Sequence, residues 1–213
     1  MMFVPDPAVL VAYSVACAIL FITPGPDMSL FLAKTIAGGR RAGAAAFLGA
    51  STGSLIHTLL AAVGLSALLA ASATAFFVLK VVGAVYLVWL AIDAVRSGST
   101  IKFADGKPVQ ARFWPTYATG LGVNLTNPKI VLFFVTFLPQ FVQPGDPDAP
   151  AKLLFLGFYF VAFSLPCGFA MILLAERFIG LLRARPQVTR IIDWVFASVF
   201  CLFAVKILAT SRG

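Results

Sequence analysis

The chain has 213 residues, of which 61% are hydrophobic and 11% charged, and its mean hydropathy is +0.98. A soluble domain carries about 25% charged residues, so this composition leaves too little polar surface to meet water and excludes a soluble enzyme. The formal charge of +8 would suit a nucleic-acid binder, but its placement along the chain follows membrane topology instead.

Crossing a hydrocarbon core about 30 Å thick takes about 20 helical residues, and the chain has length for six such spans in a single transmembrane domain over residues 1–213. Hydropathy and helix breakers place helix one over about Ala8–Ala37, interrupted at Thr23-Pro24-Gly25-Pro26. Helix two follows over about Ala44–Leu69 and helix three over about Phe76–Val95. Helix four covers about Trp114–Phe141, interrupted at Asn127-Pro128. Helices five and six cover about Leu153–Ala175 and Arg190–Ala209. The first apolar run is expected to be retained, because Asp6 is the only charge before it and a cleavable signal peptide needs a positive n-region. Cys17, Cys167 and Cys201 lie in separate apolar runs without CxxC spacing and read as free thiols, with no metal or cofactor site among them.

The basic residues sort by connection. Lys34, Arg40 and Arg41 fall between helices one and two, and Arg96, Lys102, Lys107 and Arg112 between three and four. Arg177, Arg183, Arg185 and Arg190 fall between five and six. The other side holds Lys152, Lys206 and Arg212, with Asp6, Asp146 and Asp148. Lys and Arg accumulate in cytoplasmic loops, so both termini are expected outside. Asp93 with Arg96 and Asp193 with Arg190 have helical i,i+3 spacing for ion pairs. Lys80 and Lys206 can snorkel to the interface. Asp27 and Lys129 resist such treatment, because each follows a proline inside an apolar run.

Those two charges sit in matching strings. Pro26-Asp27-Met28-Ser29-Leu30-Phe31-Leu32 and Pro128-Lys129-Ile130-Val131-Leu132-Phe133-Phe134 both read proline, charge, two residues, Leu, Phe, apolar, at an offset of 102 residues. Three spans per half make the second half inverted relative to the first, with repeat one over about 1–96, repeat two over about 112–213 and a cytoplasmic loop between. Inverted three-helix repeats with broken helices are a transporter architecture. A proline removes a backbone N–H and leaves upstream carbonyls without partners, which membranes tolerate only inside protein or along a wet cavity. Proline also suits the first position of a new helix, with Thr or Asn before it as a cap. Each break therefore exposes a half-helix N-terminus, which favours anions.

At these residues the sequence resembles the lysine exporter/RhtB-type family of amino-acid exporters. The matching stretches are Thr23-Pro24-Gly25-Pro26-Asp27, Gly39-Arg40-Arg41-Ala42-Gly43, Gly49 with Gly53, Gly83-Ala84-Val85-Tyr86-Leu87 and Asn127-Pro128-Lys129, spread over nearly the whole chain. Asp27 departs from the Asn many members carry there, and Ser54 stands near a position where many are acidic. The resemblance implies a multi-pass protein of the bacterial inner membrane that exports amino acids by proton antiport.

A zwitterionic substrate needs groups for a carboxylate and an ammonium. Lys129 with a half-helix N-terminus suits the carboxylate; Asp27 suits the ammonium or the coupling proton. An Asp27–Lys129 ion pair locking the repeats together is the structural alternative, and the two are compatible. The candidate site comprises Thr23, Pro24, Gly25, Pro26, Asp27, His57, Asn124, Asn127, Pro128 and Lys129. His57 could relay protons, although a neutral ring bonded to a backbone carbonyl is the commoner use. Thr126 is expected to satisfy freed carbonyls. The small-residue face Ala45, Gly49, Gly53 on helix two serves close packing inside the protomer or, alternatively, a homodimer. The segment Gln143–Pro150, with three prolines and two aspartates, is expected to be a rigid exposed connection.

Rival functions lack their residues. A redox conduit needs cysteines matched between repeats, and helix four has none. A heavy-metal exporter needs a ligand set that one His and scattered Cys do not supply. An intramembrane enzyme needs a nucleophile with a base. The scarcity of intramembrane acids favours neutral substrates such as threonine, homoserine or leucine-like compounds.

Overall fold

A computed structural model describes residues 5–97, 111–142 and 146–210. Among these residues the chain is helical and no strand occurs: α1 (Pro7–Ile22), α2 (Pro26–Ala71), α3 (Ala73–Ser97), α4 (Phe113–Thr126), α5 (Pro128–Leu132), α6 (Ala149–Leu173), α7 (Ala175–Ala184) and α8 (Pro186–Thr210). Lys102 and Lys107 of the expected cytoplasmic cluster and Arg212 lie outside the described residues, as do the side chains of Lys80, Asp93, Arg183 and Lys206.

Both expected breaks are present. Pro7 opens α1 behind an Asp6 cap, whose carboxylate accepts from the Ala8 N–H at 2.9 Å, and α1 stops at Ile22 ahead of Pro24. Pro26 opens α2 and Pro128 opens α5, as proline at a first helical position should. Beyond α5 the chain loosens into a π-helical turn, Phe133–Phe137, and tightens into a 3-10 turn, Leu138–Phe141. The two limbs either side of Asn127, Phe113–Thr126 and Pro128–Phe141, meet at a bend of 53° and together have the length and apolarity of a broken span. Pro26–Leu68 and Ala149–Leu173 also pass the length and hydropathy test for crossing a membrane.

The long element α2 is a helical hairpin. At Gly39 the backbone takes φ 78°, the left-handed region that favours glycine, and the arms 26–38 and 40–71 fold back on one another. Residues 35 and 43 would be about 12 Å apart along one straight helix. Instead a Cβ on Gly43 would lie 1.9 Å from Thr35 Oγ1, and the Phe31 and Phe47 rings meet edge to face at 5.4 Å. The expected end of helix one near Ala37 and start of helix two near Ala44 bracket this reversal.

Two other connections differ from expectation. Helix α6 begins at Ala149, so Pro150 lies in its first turn rather than in a loop. Asp146 holds this start: it accepts from the Asp148 N–H at 2.9 Å and from Lys152 Nζ at 2.5 Å. The Lys152 ammonium keeps the Asp146 carboxyl below the usual carboxylate range. The connection between helices five and six contains α7, an amphipathic helix with Ala175, Ile179 and Leu182 buried and Glu176, Arg177 and Leu181 exposed.

Helix α2 packs most extensively on α4 and also on α6, and α3 packs on α8. The small-residue face of α2 is spent inside the protomer, against α4. A Cβ on Gly49 would stand 2.0 Å from the Tyr117 carbonyl, and one on Gly120 would stand 2.0 Å from the Ala46 carbonyl. Tyr117 then donates from its hydroxyl to Thr52 Oγ1 at 2.7 Å. Without a hydrophobic force between helices in lipid, such backbone approach is what holds them together.

Gly120→Ala should therefore force α2 and α4 apart. We expect roughly 1–3 kcal/mol of destabilisation from overpacking, read as a lower melting temperature in detergent. Gly122→Ala, two residues along, has nothing within 4 Å of the added carbon and should leave melting unchanged. Equal melting of the two variants would contradict the contact.

Candidate functional site

The two breaks face each other. Where α1 ends, Thr23 bonds back into the helix: its N–H and its hydroxyl both donate to the Ile19 carbonyl, at 3.0 and 2.6 Å. The carbonyl of Thr23 itself points away from any helix partner and accepts from Lys129 Nζ at 2.7 Å. At the second break, Asn127 caps α5, its Oδ1 accepting from the Lys129 N–H at 3.1 Å. The N-terminus of α2 has no such cap, because Gly25 precedes it.

Asp27, in the first turn of α2, accepts from Asn124 Nδ2 through Oδ2 at 2.6 Å. No ion pair within 4 Å joins Asp27 to Lys129. The direct pair expected as a structural lock is thus replaced by two links: Asn124 holds the carboxylate and the Thr23 carbonyl holds the ammonium. The charges still share one site. Lys129 stands in the field of Asp27 and also of Asp193, and its Nζ is 5.9 Å from the Phe196 ring. Asp193 and Phe196 lie one turn apart on α8. Asp193, expected to pair with Arg190, is 1% exposed and acts on Lys129, while Arg190 is exposed.

A cavity of about 60 Å³ lies between the breaks, room for a few water molecules. Six of the ten candidate residues line it: Thr23, Gly25, Asp27, Asn124, Asn127 and Lys129. Pro24, Pro26 and Pro128 shape the breaks without lining it. His57 is off its wall: it is buried and stacked on Phe134 at 5.7 Å, with a bond to the Asn124 backbone of the kind expected and only Nε2 without a partner. Thr126 bonds to the Gly122 carbonyl at 2.9 Å, the carbonyl-satisfying role expected of it.

Sequence reasoning missed the rest of the wall. Ser51, Ser54 and Ser164 contribute hydroxyls, and Phe21, Phe31, Phe47 and Phe160 contribute rings. The available signal for Ser164 is Pro166, a proline inside α6 that disturbs the ladder beside it. A second, wider hollow of about 650 Å³ lies between the Gly39 reversal and the α6–α7 junction, where Arg40, Glu176 and Arg177 meet.

A mainly apolar cavity with charged and polar side chains in its wall, placed where two helices break in an all-helical, strongly apolar chain, goes with a polytopic membrane protein. The model of the LysE type translocators matches residues 18–211, and the chain belongs to that family. It is 32% identical over 201 residues to the homoserine/homoserine lactone efflux protein of Salmonella typhi, covering 94% of this chain and 96% of that protein. It is 28% identical over 212 residues to the leucine efflux protein of Klebsiella pneumoniae, covering 94% of each. An uncharacterized membrane protein of Vibrio cholerae is 30% identical over 210 residues, covering 98% of this chain and all of that protein. No solved structure matches.

Gly53 positions the site from α2: a Cβ there would lie 2.4 Å from Asn124 Oδ1. Gly53→Ala should displace Asn124 from Asp27 and lower transport at least tenfold. Gly64→Ala, on the same helix with open space around it, should leave transport unchanged; an equally active Gly53→Ala would remove Asn124 from the site.

Proposed function

We propose that this protein exports neutral amino acids from the bacterial cytoplasm through the inner membrane, by proton antiport, binding them between Thr23–Asp27 and Asn124–Lys129. The observation that carries the reading is the cavity between the breaks, which offers both signs of charge. The uncapped first turn of α2, with the Gly25, Asp27 and Met28 amides and Lys129 beside it, suits a carboxylate. The Asp27 carboxylate suits an ammonium or, between substrates, a proton. The names of the efflux relatives, for homoserine, its lactone and leucine, agree with a small uncharged side chain.

In this reading the chain has six spans in two inverted three-helix repeats, 1–96 and 112–213, with both termini outside. The equivalent residues Phe31 and Phe133 support it. Each lies one turn beyond its charged residue and packs on a ring of the next long helix, Phe31 on Phe47 at 5.4 Å and Phe133 on Phe160 at 5.0 Å. Phe31, Phe47 and Phe160 line the cavity, and the two ring pairs act as its inner and outer gates. On the inner side the order along α2 is Asp27 at the cavity, Phe31 at the closure and Thr35 at the wide hollow. That hollow, at the basic end of the molecule, serves as the cytoplasmic vestibule.

Counterflow in proteoliposomes tests the function. A panel of neutral amino acids should accelerate exchange over protein-free vesicles, and no acceleration by any of them would end the exporter reading. Asp27→Asn should keep the shape of the site but lose the pH dependence of export. An Asp27→Asn transporter with the parent's pH profile would remove Asp27 from the coupling.

A further inference from the structure

The second arm of α2 and helix α6 are seated on one another at two notches. Gly157 and Gly168 stand eleven residues apart on α6, and the side chains they receive, Thr58 and Phe47, stand eleven residues apart on α2 in the reverse order. The two helices therefore run antiparallel, with their knobs about three turns apart. The notches differ in what fills them. A Cβ on Gly157 would lie 2.3 Å from Thr58 Cγ2 and 2.8 Å from Thr58 Cβ, a stiff β-branched side chain close to its own backbone. A Cβ on Gly168 would lie 2.1 Å from Phe47 Cζ and 2.5 Å from Cε1 and Cε2, the far tip of a ring.

Phe47 is also a wall of the cavity, and Gly168 is not. One face of α6 reads Phe160, Ser164, Gly168 at helical spacing. The first two reach the cavity, and at the third the ring from α2 stands where a side chain would. That ring is 4% exposed. Phe21, Phe31 and Phe169 meet it edge to face at 6.4, 5.4 and 5.7 Å, so close packing leaves the cavity as its open side. Thr58, fully buried in its own notch, holds the spacing of the two helices, and a methyl added at Gly168 has to be accommodated by the ring. Ordinary contact begins at 3.4 Å, so the tip must swing by at least about 1.3 Å.

We infer that Gly168 sets the size limit of the transported side chain from outside the cavity, because its bare Cα is the seat that keeps the Phe47 ring back from the substrate. This rests on the binding site proposed above and adds a specificity-determining residue to it. Gly168 and Phe47 act as one unit, and filling the seat is equivalent to enlarging the wall.

Counterflow with a series of neutral amino acids from glycine to phenylalanine tests this, read as the ratio of exchange by the bulkiest accepted substrate to exchange by the smallest. A methylene in an apolar pocket is worth about 10–200-fold in discrimination, so Gly168→Ala should lower that ratio at least about tenfold while melting in detergent stays near the parent's. Gly157→Ala, which meets the stiff Thr58, should lower melting and leave the ratio unchanged. Phe47→Leu shortens the side chain at its tip. Added to Gly168→Ala, it should return the ratio to within about threefold of the parent's; alone, it should raise the ratio. A parental ratio in Gly168→Ala would mean that the ring escapes past Phe169, and overturns the inference. So does a loss that falls equally on all substrates and is not reversed by Phe47→Leu. Should Gly168→Ala fail to fold, an unchanged ratio in Phe47→Leu alone overturns it as well. Silence of the parent protein towards the whole series is a different result, and refutes the exporter itself.

Discussion

The hydrogen bond from Lys129 Nζ to the Thr23 carbonyl, 2.7 Å long, joins the two places where the backbone leaves its helical ladder. In hydrocarbon a carbonyl without a partner costs several kcal/mol, and an ammonium without one is rare and functional. Each group answers the need of the other. The bond therefore requires the breaks to face one another, and that requirement positions everything around them. Asp27 comes in on the first turn of α2, Asn124 on the last turn of α4, and Asp193 with Phe196 on α8 beside the lysine. The proline that opens each helix fixes where its first turn starts, and hence where each charge stands.

Around this joint the helices are fitted by absence of side chain. Gly49 and Gly120 let α2 and α4 touch backbone to backbone, Gly83 receives Thr136 on the π-helical turn, Gly157 receives Thr58, and Gly168 receives the Phe47 ring. Aromatic rings fill the two ends. Tyr13, Phe133, Phe137 and Phe160 form one buried cluster, and Phe31 and Phe47 belong to another. The polar atoms thus occupy a thin layer between two apolar clusters, around a cavity of about 60 Å³.

Much of this was legible in the sequence. Prolines in apolar runs mark breaks because proline's lost N–H has the same consequence in any helix, so Thr23–Pro26 and Asn127–Pro128 could be placed to the residue. The helix limits drawn from hydropathy fell close to those observed. Contacts between distant residues were harder. Equal and opposite charges at Asp27 and Lys129 suggested a direct pair, but an asparagine and a carbonyl intervene, and nothing in a one-dimensional string ranks those partners above one another. The burial of Asp193 was not legible, because i,i+3 spacing to Arg190 says nothing about which face of α8 is buried. His57 looked like a cavity residue because depth along a helix is readable while azimuth is not. The amphipathic α7 was overlooked because its arginines were counted as a loop signal.

The backbone contact between α2 and α4 has a mechanical meaning. Where a carbonyl of one helix occupies the space a Cβ of the other would need, at Gly49 and again at Gly120, sliding by a single residue brings real Cβ atoms into those carbonyls. The two helices are keyed, and they behave as one keel. That keel is drawn from both halves of the chain, α2 from the first and α4 from the second. The packing of α1 on α6 is of another kind, made by rings and single hydroxyls such as Tyr13 and Ser14 against Tyr159. The joint at Thr23 and Lys129 lies beside this keel, between the end of α1 and the start of α5.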